Sequence, residues 1–194
     1  MSSSLIENFP VGKDNIVRGT RRLVREKVLQ ILIAKSVCEE NLDTLFDFIF
    51  YRIYNFGDLE EQPTKLLRPD EIIELESDYA IEWKDEEIEF GKKLINCVLV
   101  QKEFVDTLLR TTSSNWEIDR IAKIDSTLIH IAVAEFTSFP EIPMKVSINE
   151  ALEISKMYST DKSSIFINGV LDTMKSELQK LGKINKEGRG LIDS

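Results

Sequence analysis

The chain has 194 residues, of which 42% are hydrophobic and 30% charged, and it carries a formal net charge of −9. This balance is typical of a soluble globular protein and excludes disorder along most of the length. No uncharged apolar run approaches the roughly 20 residues of a membrane span, and the N-terminus lacks the pattern of a secretion signal. We therefore expect a cytoplasmic protein with no membrane partner.

The charge is distributed unevenly along the chain. Residues 1–38 hold seven basic and three acidic side chains, residues 39–90 hold four and seventeen, and residues 91–194 hold fourteen of each. Phosphate binding depends on clustered positive charge rather than on the total. The basic first segment therefore keeps a nucleic-acid partner compatible with an acidic protein.

Hydrophobic periodicity predicts a helical domain over residues 18–182, between a flexible lead-in at 1–17 and a flexible tail at 183–194. An acidic insertion at about 57–86 interrupts the helical pattern. The sequence shows no internal repeat, no β-hairpin signal and almost no alternating strand pattern. These features predict an all-α bundle.

The first half of the domain contains three predicted helices. One begins near Val17 or Arg18, a second covers residues 41–56 and stops at Gly57, and a third covers residues 86–110. A short helix at Pro69–Glu76 is also predicted inside the acidic insertion.

Capping residues mark the helices of the second half. The predicted helices are Trp116–Ala122, a helix from the N-cap Asp125 to Ser138, one over 148–158 behind a capping box at Ser147, and one from Asp161 or Ser163 to Gly182.

The chemistry of an enzyme is missing from the sequence. The single histidine, His130, lies among apolar residues of a predicted helix, and no phosphate-binding glycine loop, dinucleotide fingerprint or zinc-protease motif occurs. Cys38 and Cys97 lie far apart in helical segments, which supports neither a disulfide framework nor a zinc site. We therefore predict no catalytic residues, no metal and no cofactor.

An arginine stripe at the start of the first helix is the most informative feature. Arg18, Arg21, Arg22 and Arg25 follow helical spacing and meet the positive end of the helix dipole. Their mutual repulsion costs stability unless an anion binds there. Because arginine makes bidentate contacts to phosphate and stacks on unpaired bases, the stripe favours single-stranded RNA.

Several segments of the sequence resemble those of a known protein family. Arg21-Arg22-Leu23-Val24-Arg25-Glu26-Lys27-Val28-Leu29-Gln30 resembles the RRxxRExxxQ opening of the NusB family. Three later blocks resemble its signature segments in order: DRIAKIDSTLIHIAVAEF at 119–136, IPMKVSINEALEISKMYST at 142–160 and SSIFINGVLDTM at 163–174.

The resemblance implies a NusB-like fold of two packed three-helix bundles and an RNA-binding transcription antitermination factor. Such a factor forms a complex with a small-subunit ribosomal protein on the boxA element of nascent ribosomal RNA. The complex promotes processive elongation by the RNA polymerase elongation complex. Some family members form homodimers that cover the RNA face, so a homodimer of the free protein stays an open alternative.

The resemblance also implies which residues bind. Arg21, Arg22, Arg25 and Gln30 correspond to the RNA-binding helix. Arg18 is added to this set by the arginine stripe and not by the resemblance. A second RNA patch would include Lys162 and Phe166, although Phe166 also fits the apolar face of the last helix. The ribosomal protein would dock near Asp125, Ser126 and Ile129.

The sequence departs from the family at Ser126 and His130, where arginine is frequent, and in its long acidic insertion. These departures keep a second hypothesis open, a helical protein-protein adaptor that has lost RNA binding. A third hypothesis, an RNA-modifying enzyme with a NusB-like domain, lacks both a cofactor-binding domain and a catalytic cysteine motif.

Overall fold

The structure is a computed structural model that describes residues 17–51, 81–112, 121–160 and 162–191. Four expectations fall wholly or mostly outside these ranges: the lead-in, the acidic insertion with its short helix, the helix at Trp116–Ala122, and the cap at Asp161. Among the described residues, no helix is long and apolar enough to cross a membrane.

Six α-helices form two packed three-helix groups in the described part of the chain, which confirms the all-α class. The first group contains α1 (Arg21–Lys35), α2 (Leu42–Phe46), which continues as a π-helical turn over Asp47–Tyr51, and α3 (Asp85–Thr112). The second contains α4 (Lys123–Ser138), α5 (Met144–Tyr158) and α6 (Ser163–Lys180).

Helix α4 is the centre of the molecule and packs against α1, α3, α5 and α6. It is apolar on nearly all sides, with Leu128, Val133 and Phe136 fully buried, as expected of a helix enclosed by others. At its end, the ring of Phe139 meets Phe90 of α3 edge to face at 5.2 Å. Helix α4 therefore contacts helices of both three-helix groups.

A two-residue parallel strand pair was missed by the sequence pattern. Strand β1 (Val17–Arg18) pairs with β2 (Ile81–Glu82), with Val17 opposite Ile81. Two residues are too few to show alternation. A Cβ on the following Gly19 would lie 2.5 Å from the Trp83 ring, so only glycine allows the chain to pass from β1 into α1.

Several predicted helix starts are corrected. Helix α1 begins at Arg21 rather than at Val17 or Arg18, because Arg18 belongs to β1. Helix α4 begins two residues before Asp125, and α5 begins at Met144. Ser147 is therefore an interior helical residue and does not cap α5.

The C-terminal end of α6 is a Schellman turn at Gly182, with φ +63°, where Lys183 N donates to Leu178 O at 3.0 Å. The segment that follows was expected to be a flexible tail. As far as Leu191 it instead lies against the loop after α4, ends in a 3-10 turn over Gly188–Leu191 and buries Lys186. Hydrogen bonds made by Lys186 and Glu187 hold this segment in place. Such polar contacts leave no apolar periodicity in the sequence.

Candidate nucleic-acid interface

The first turn of α1 presents two exposed arginines. Thr20 caps the helix in an extended conformation, and its side chain accepts a hydrogen bond from Leu23 N at 3.2 Å. Arg21 and Arg22 follow at once, and this turn carries no acidic residue. Since unpaired N–H groups and the helix dipole already make this end positive, the turn favours an approaching anion.

Arg21 and Arg22 are held by different partners. The Arg21 guanidinium lies 4.2 Å from the centroid of the Phe90 ring, a cation–π contact that leaves its N–H groups available. Arg22 makes a two-pronged ion pair with Glu150 of α5, with Nε–Oε2 and Nη2–Oε1 distances of 3.0 and 2.8 Å. The hydrogen bond from Arg22 holds the pKa of Glu150 below its usual range.

Arg25 does not belong to the exposed surface, contrary to prediction. It is 4% exposed, and its Nε and Nη2 donate to Glu135 of α4 at 2.6 and 3.1 Å. Glu135 also accepts a hydrogen bond from Ser147 of α5. Lys186 donates to the Glu135 carbonyl at 2.9 Å. We call Arg25, Glu135, Ser147 and Lys186 the interior network; its members are buried and bonded to one another, although Arg25 also lines the cavity described next.

The exposed arginines surround a cavity of about 740 Å³ between α1, the loop after α4 and the start of α5. A third exposed arginine of the lining, Arg189, comes from the C-terminal segment and was not predicted from the sequence. We call Arg21, Arg22 and Arg189 the arginine rim. Glu150 was also missed as a partner of Arg22, because no spacing rule relates residues 128 positions apart.

Two of the other predicted RNA residues, Arg18 and Gln30, lie away from the arginine rim. Arg18, on β1, lines a separate cavity of about 350 Å³ with Glu82 and Trp83. Gln30 is half-buried, two turns after Arg22, and accepts a hydrogen bond from Lys27 Nζ at 3.3 Å.

Lys162 and Phe166 lie together at the start of α6, as predicted. They line a third cavity, of about 560 Å³, between α6 and the end of α3. Lys162 is exposed, whereas Phe166 is half-buried and packs against the core. The structure thus brings these two residues together but does not join them to the arginine rim in one cavity.

The predicted partner-binding residues differ in accessibility. Ile129 is fully buried and cannot contact a partner, because it faces the core side of α4. Asp125 is 5% exposed, and its Oδ1 accepts no hydrogen bond from the described residues. Its carboxylate lies in the first turn of α4, where the helix dipole favours a negative charge. Only Ser126 is partly exposed.

Ser126 lines an apolar groove of about 390 Å³ between the end of α1, the middle of α3 and the start of α4. Leu99, Lys102 and Thr127 also line it. On its floor, His130 Nε2 lies 3.0 Å from Asp106 Oδ1. Burial raises the pKa of Asp106, but Lys102 and His130 outweigh it and keep that pKa below its usual range.

The described residues contain no cluster of candidate metal ligands. In ranges 17–51, 81–112, 121–160 and 162–191, no group of three or more histidine, cysteine, aspartate or glutamate side chains could hold a metal ion. Cys38 and Cys97 are free thiols.

Comparison with known proteins gives consistent matches. The model of the NusB family matches residues 22–176. Transcription antitermination protein NusB of Chloroherpeton thalassium is 37% identical over 174 residues, which is 90% of this chain and 70% of that protein. The protein of the same name from Clostridium botulinum is 34% identical over 155 residues, 79% of this chain and 98% of its own.

Solved structures share the fold. T. maritima NusB superposes with a TM-score of 0.60 at 22% identity, over 83% of this chain and 94% of that chain. A complex of antitermination factors NusB and NusE with dsRNA contains a chain with a TM-score of 0.58 at 18% identity, over 81% and 96%.

Proposed function

The chain belongs to the NusB family and is a transcription antitermination factor rather than an enzyme; on that premise we propose that it binds boxA RNA through the arginine rim. In this proposal a NusE-type small-subunit ribosomal protein binds beside the RNA, and the assembly acts on the elongating RNA polymerase. The observation that carries the proposal is the pair of exposed guanidiniums at the positive end of α1, around an open cavity.

The two arginines suit single-stranded RNA in different ways. Arg21 has no carboxylate partner among the described residues, so its full charge faces the cavity. Arg22 is fixed by Glu150, which orients its guanidinium while half of the side chain stays exposed. Arg21 therefore provides a cation for a phosphate contact, and the planar guanidinium of Arg22 provides a surface on which a base can stack.

The ribosomal-protein site that we propose is the groove at Ser126. The groove is mostly apolar, and it lies at the other end of α1 from the arginine rim. A solved neighbour of this fold was determined with NusE, which makes a NusE-type protein the occupant to test. Leu99 and Thr127 would contact it, while Ile129 would support the groove from inside.

The RNA proposal is tested by fluorescence anisotropy of a labelled boxA RNA, with and without the cognate NusE-type protein. The variant Arg21→Ala/Arg22→Ala should weaken binding by roughly ten- to a hundredfold and flatten its dependence on salt, because a phosphate contact and a stacking contact are lost with two positive charges. The control Arg110→Ala/Lys180→Ala removes the same charge from the last turns of α3 and α6 and should bind as wild type.

Two other outcomes contradict the RNA proposal. Equal weakening by both double variants would mean that general charge, and not the arginine rim, attracts the RNA. Wild type that binds the ribosomal protein but no boxA RNA would favour the adaptor hypothesis, in which Glu150 and Glu135 have neutralised the arginines.

The groove is tested with neighbouring residues of α3. Leu99 lines the groove, whereas Val100 is 76% exposed and is not part of its lining. Leu99→Arg should reduce the affinity for the ribosomal protein at least tenfold, because a charge would enter an apolar contact. Val100→Arg should leave it unchanged in the same calorimetric titration. Equal effects of both variants would place the partner elsewhere.

A further inference from the structure

The segment Lys183–Leu191 forms a C-terminal strap that returns from α6 to the arginine rim. After the turn at Gly182, it runs along the loop that joins α4 to α5. Glu187 N donates to Pro140 O at 3.0 Å, and Gly190 N donates to Glu187 O at 2.8 Å. The strap is thus bonded both to the body of the protein and to itself.

A buried lysine anchors the strap. Lys186 is 8% exposed, and its Nζ donates to the carbonyl oxygens of Glu135 and Phe139, each at 2.9 Å. Burial lowers the pKa of Lys186, although the carboxylates of Glu135 and Glu141 act in the opposite direction. A lysine is rarely buried unless its charge is well solvated by the protein, so this anchor fixes the position of the strap closely.

Two glycines make the close approach possible. A Cβ on Gly190 would lie 1.8 Å from Pro140 O, so no other residue fits at that position. Gly188 has φ +52°, a conformation that favours glycine. Arg189 lies between them, and its place at the cavity is therefore set by the fold of the strap.

Arg189 is exposed and lines the same cavity as Arg21 and Arg22. No carboxylate of the described residues forms an ion pair with it, whereas Arg22 and Arg25 are both paired. Glu141, on the loop, also lines the cavity. Arg189 therefore adds to Arg21 a second cation that is free to bind an anion.

We propose that Arg189 is an additional RNA phosphate-binding residue and that Lys186 is the residue that positions it. The proposal rests on the proposed function of the arginine rim and extends the RNA surface onto the C-terminal strap. It also gives a role to a segment whose sequence carries no motif.

The test is the anisotropy titration of single-stranded boxA RNA, with the full-length protein and its ribosomal-protein partner, at several salt concentrations. Arg189→Ala should weaken binding roughly three- to tenfold and lower the salt slope by about 0.7, the value for one phosphate contact on a single strand. The control is Arg110→Ala, which removes an exposed arginine about 30 Å along α3 from Phe90 and should change neither quantity.

The positioning role of Lys186 has a separate readout. Lys186→Met releases the strap while keeping Arg189, so it should weaken binding as much as Arg189→Ala does. The double variant Lys186→Met/Arg189→Ala should bind no more weakly than either single variant. If Lys186 acted only through general stability, its change would weaken binding equally with or without Arg189, which would overturn the positioning role.

The outcomes separate the two proposals. If wild type binds boxA RNA, Arg21→Ala/Arg22→Ala weakens it and Arg189→Ala matches wild type in affinity and salt slope, the strap proposal alone is overturned. If wild type does not bind boxA RNA with its partner present, both proposals are overturned.

Discussion

Arg25 of the interior network and Arg21 of the arginine rim lie one helical turn apart on α1, yet their guanidiniums have different surroundings. Arg25 is buried and donates to Glu135 and to the Arg21 carbonyl, whereas Arg21 is exposed and lies against an aromatic ring at the cavity. A buried ion pair needs both partners, while a surface cation can be lost at little cost to folding. The comparison teaches that an arginine stripe can contain both a structural and a ligand-binding residue.

The largest expected effect would come from breaking the interior pair. Arg25→Ala leaves the Glu135 carboxylate buried without its main partner and should lower the free energy of unfolding by about 3–5 kcal/mol. Arg21→Ala, on the rim, should lower it by less than about 1 kcal/mol, the usual contribution of an exposed cation–π contact. Urea unfolding at neutral pH measures both values. Similar losses for the two variants would remove the distinction between interior and rim.

A smaller effect is expected from the serine that completes the interior network. Ser147→Ala removes a buried donor to the Glu135 carboxylate and should cost about 1.5–3 kcal/mol. Its matched control is Ser176→Ala, which removes an exposed hydroxyl that only bonds the Asp172 carbonyl of its own helix. Thermal unfolding followed by circular dichroism should show a clear drop for the first and almost none for the second. A Ser147→Ala protein as stable as wild type would mean that Ser147 adds nothing to the network.

Sequence alone predicted the helices well and the arginines only in part. The stop of α6 at Gly182 follows from a local signal, and the resemblance supplied the two-bundle fold. Ser163 was predicted as a possible N-cap but is the first residue of α6; the N-cap is Lys162, and no side chain caps the helix. Burial of Arg25 depends on Glu135, which is 110 positions away, so spacing on α1 could not reveal it. The strap was expected to be flexible because buried lysine and close glycine contacts produce no apolar periodicity.

The smallest expected effect concerns pH at the rim. The pKa of Glu150 is lowered, chiefly by the hydrogen bond from Arg22, so the pair stabilises the fold above the unfolded pKa of about 4.3. This stabilising contribution is lost as the pH falls through the lowered pKa that Glu150 has in the folded protein. The difference in unfolding free energy between wild type and Glu150→Gln should therefore shrink between pH 6 and pH 3. A difference that stays constant over this range would show that the pair adds no pH-dependent stability.

The most direct test of the account is an NMR titration of the arginine Nε–Hε signals with boxA RNA in the presence of the ribosomal-protein partner. Signals of Arg21 and Arg22 should shift or broaden as RNA is added, because their guanidiniums meet phosphate and bases. The Arg25 signal should stay in place, since Glu135 already holds it. A shift of Arg25 as large as that of Arg21, or no shift at either rim residue, would contradict the division between interior and rim.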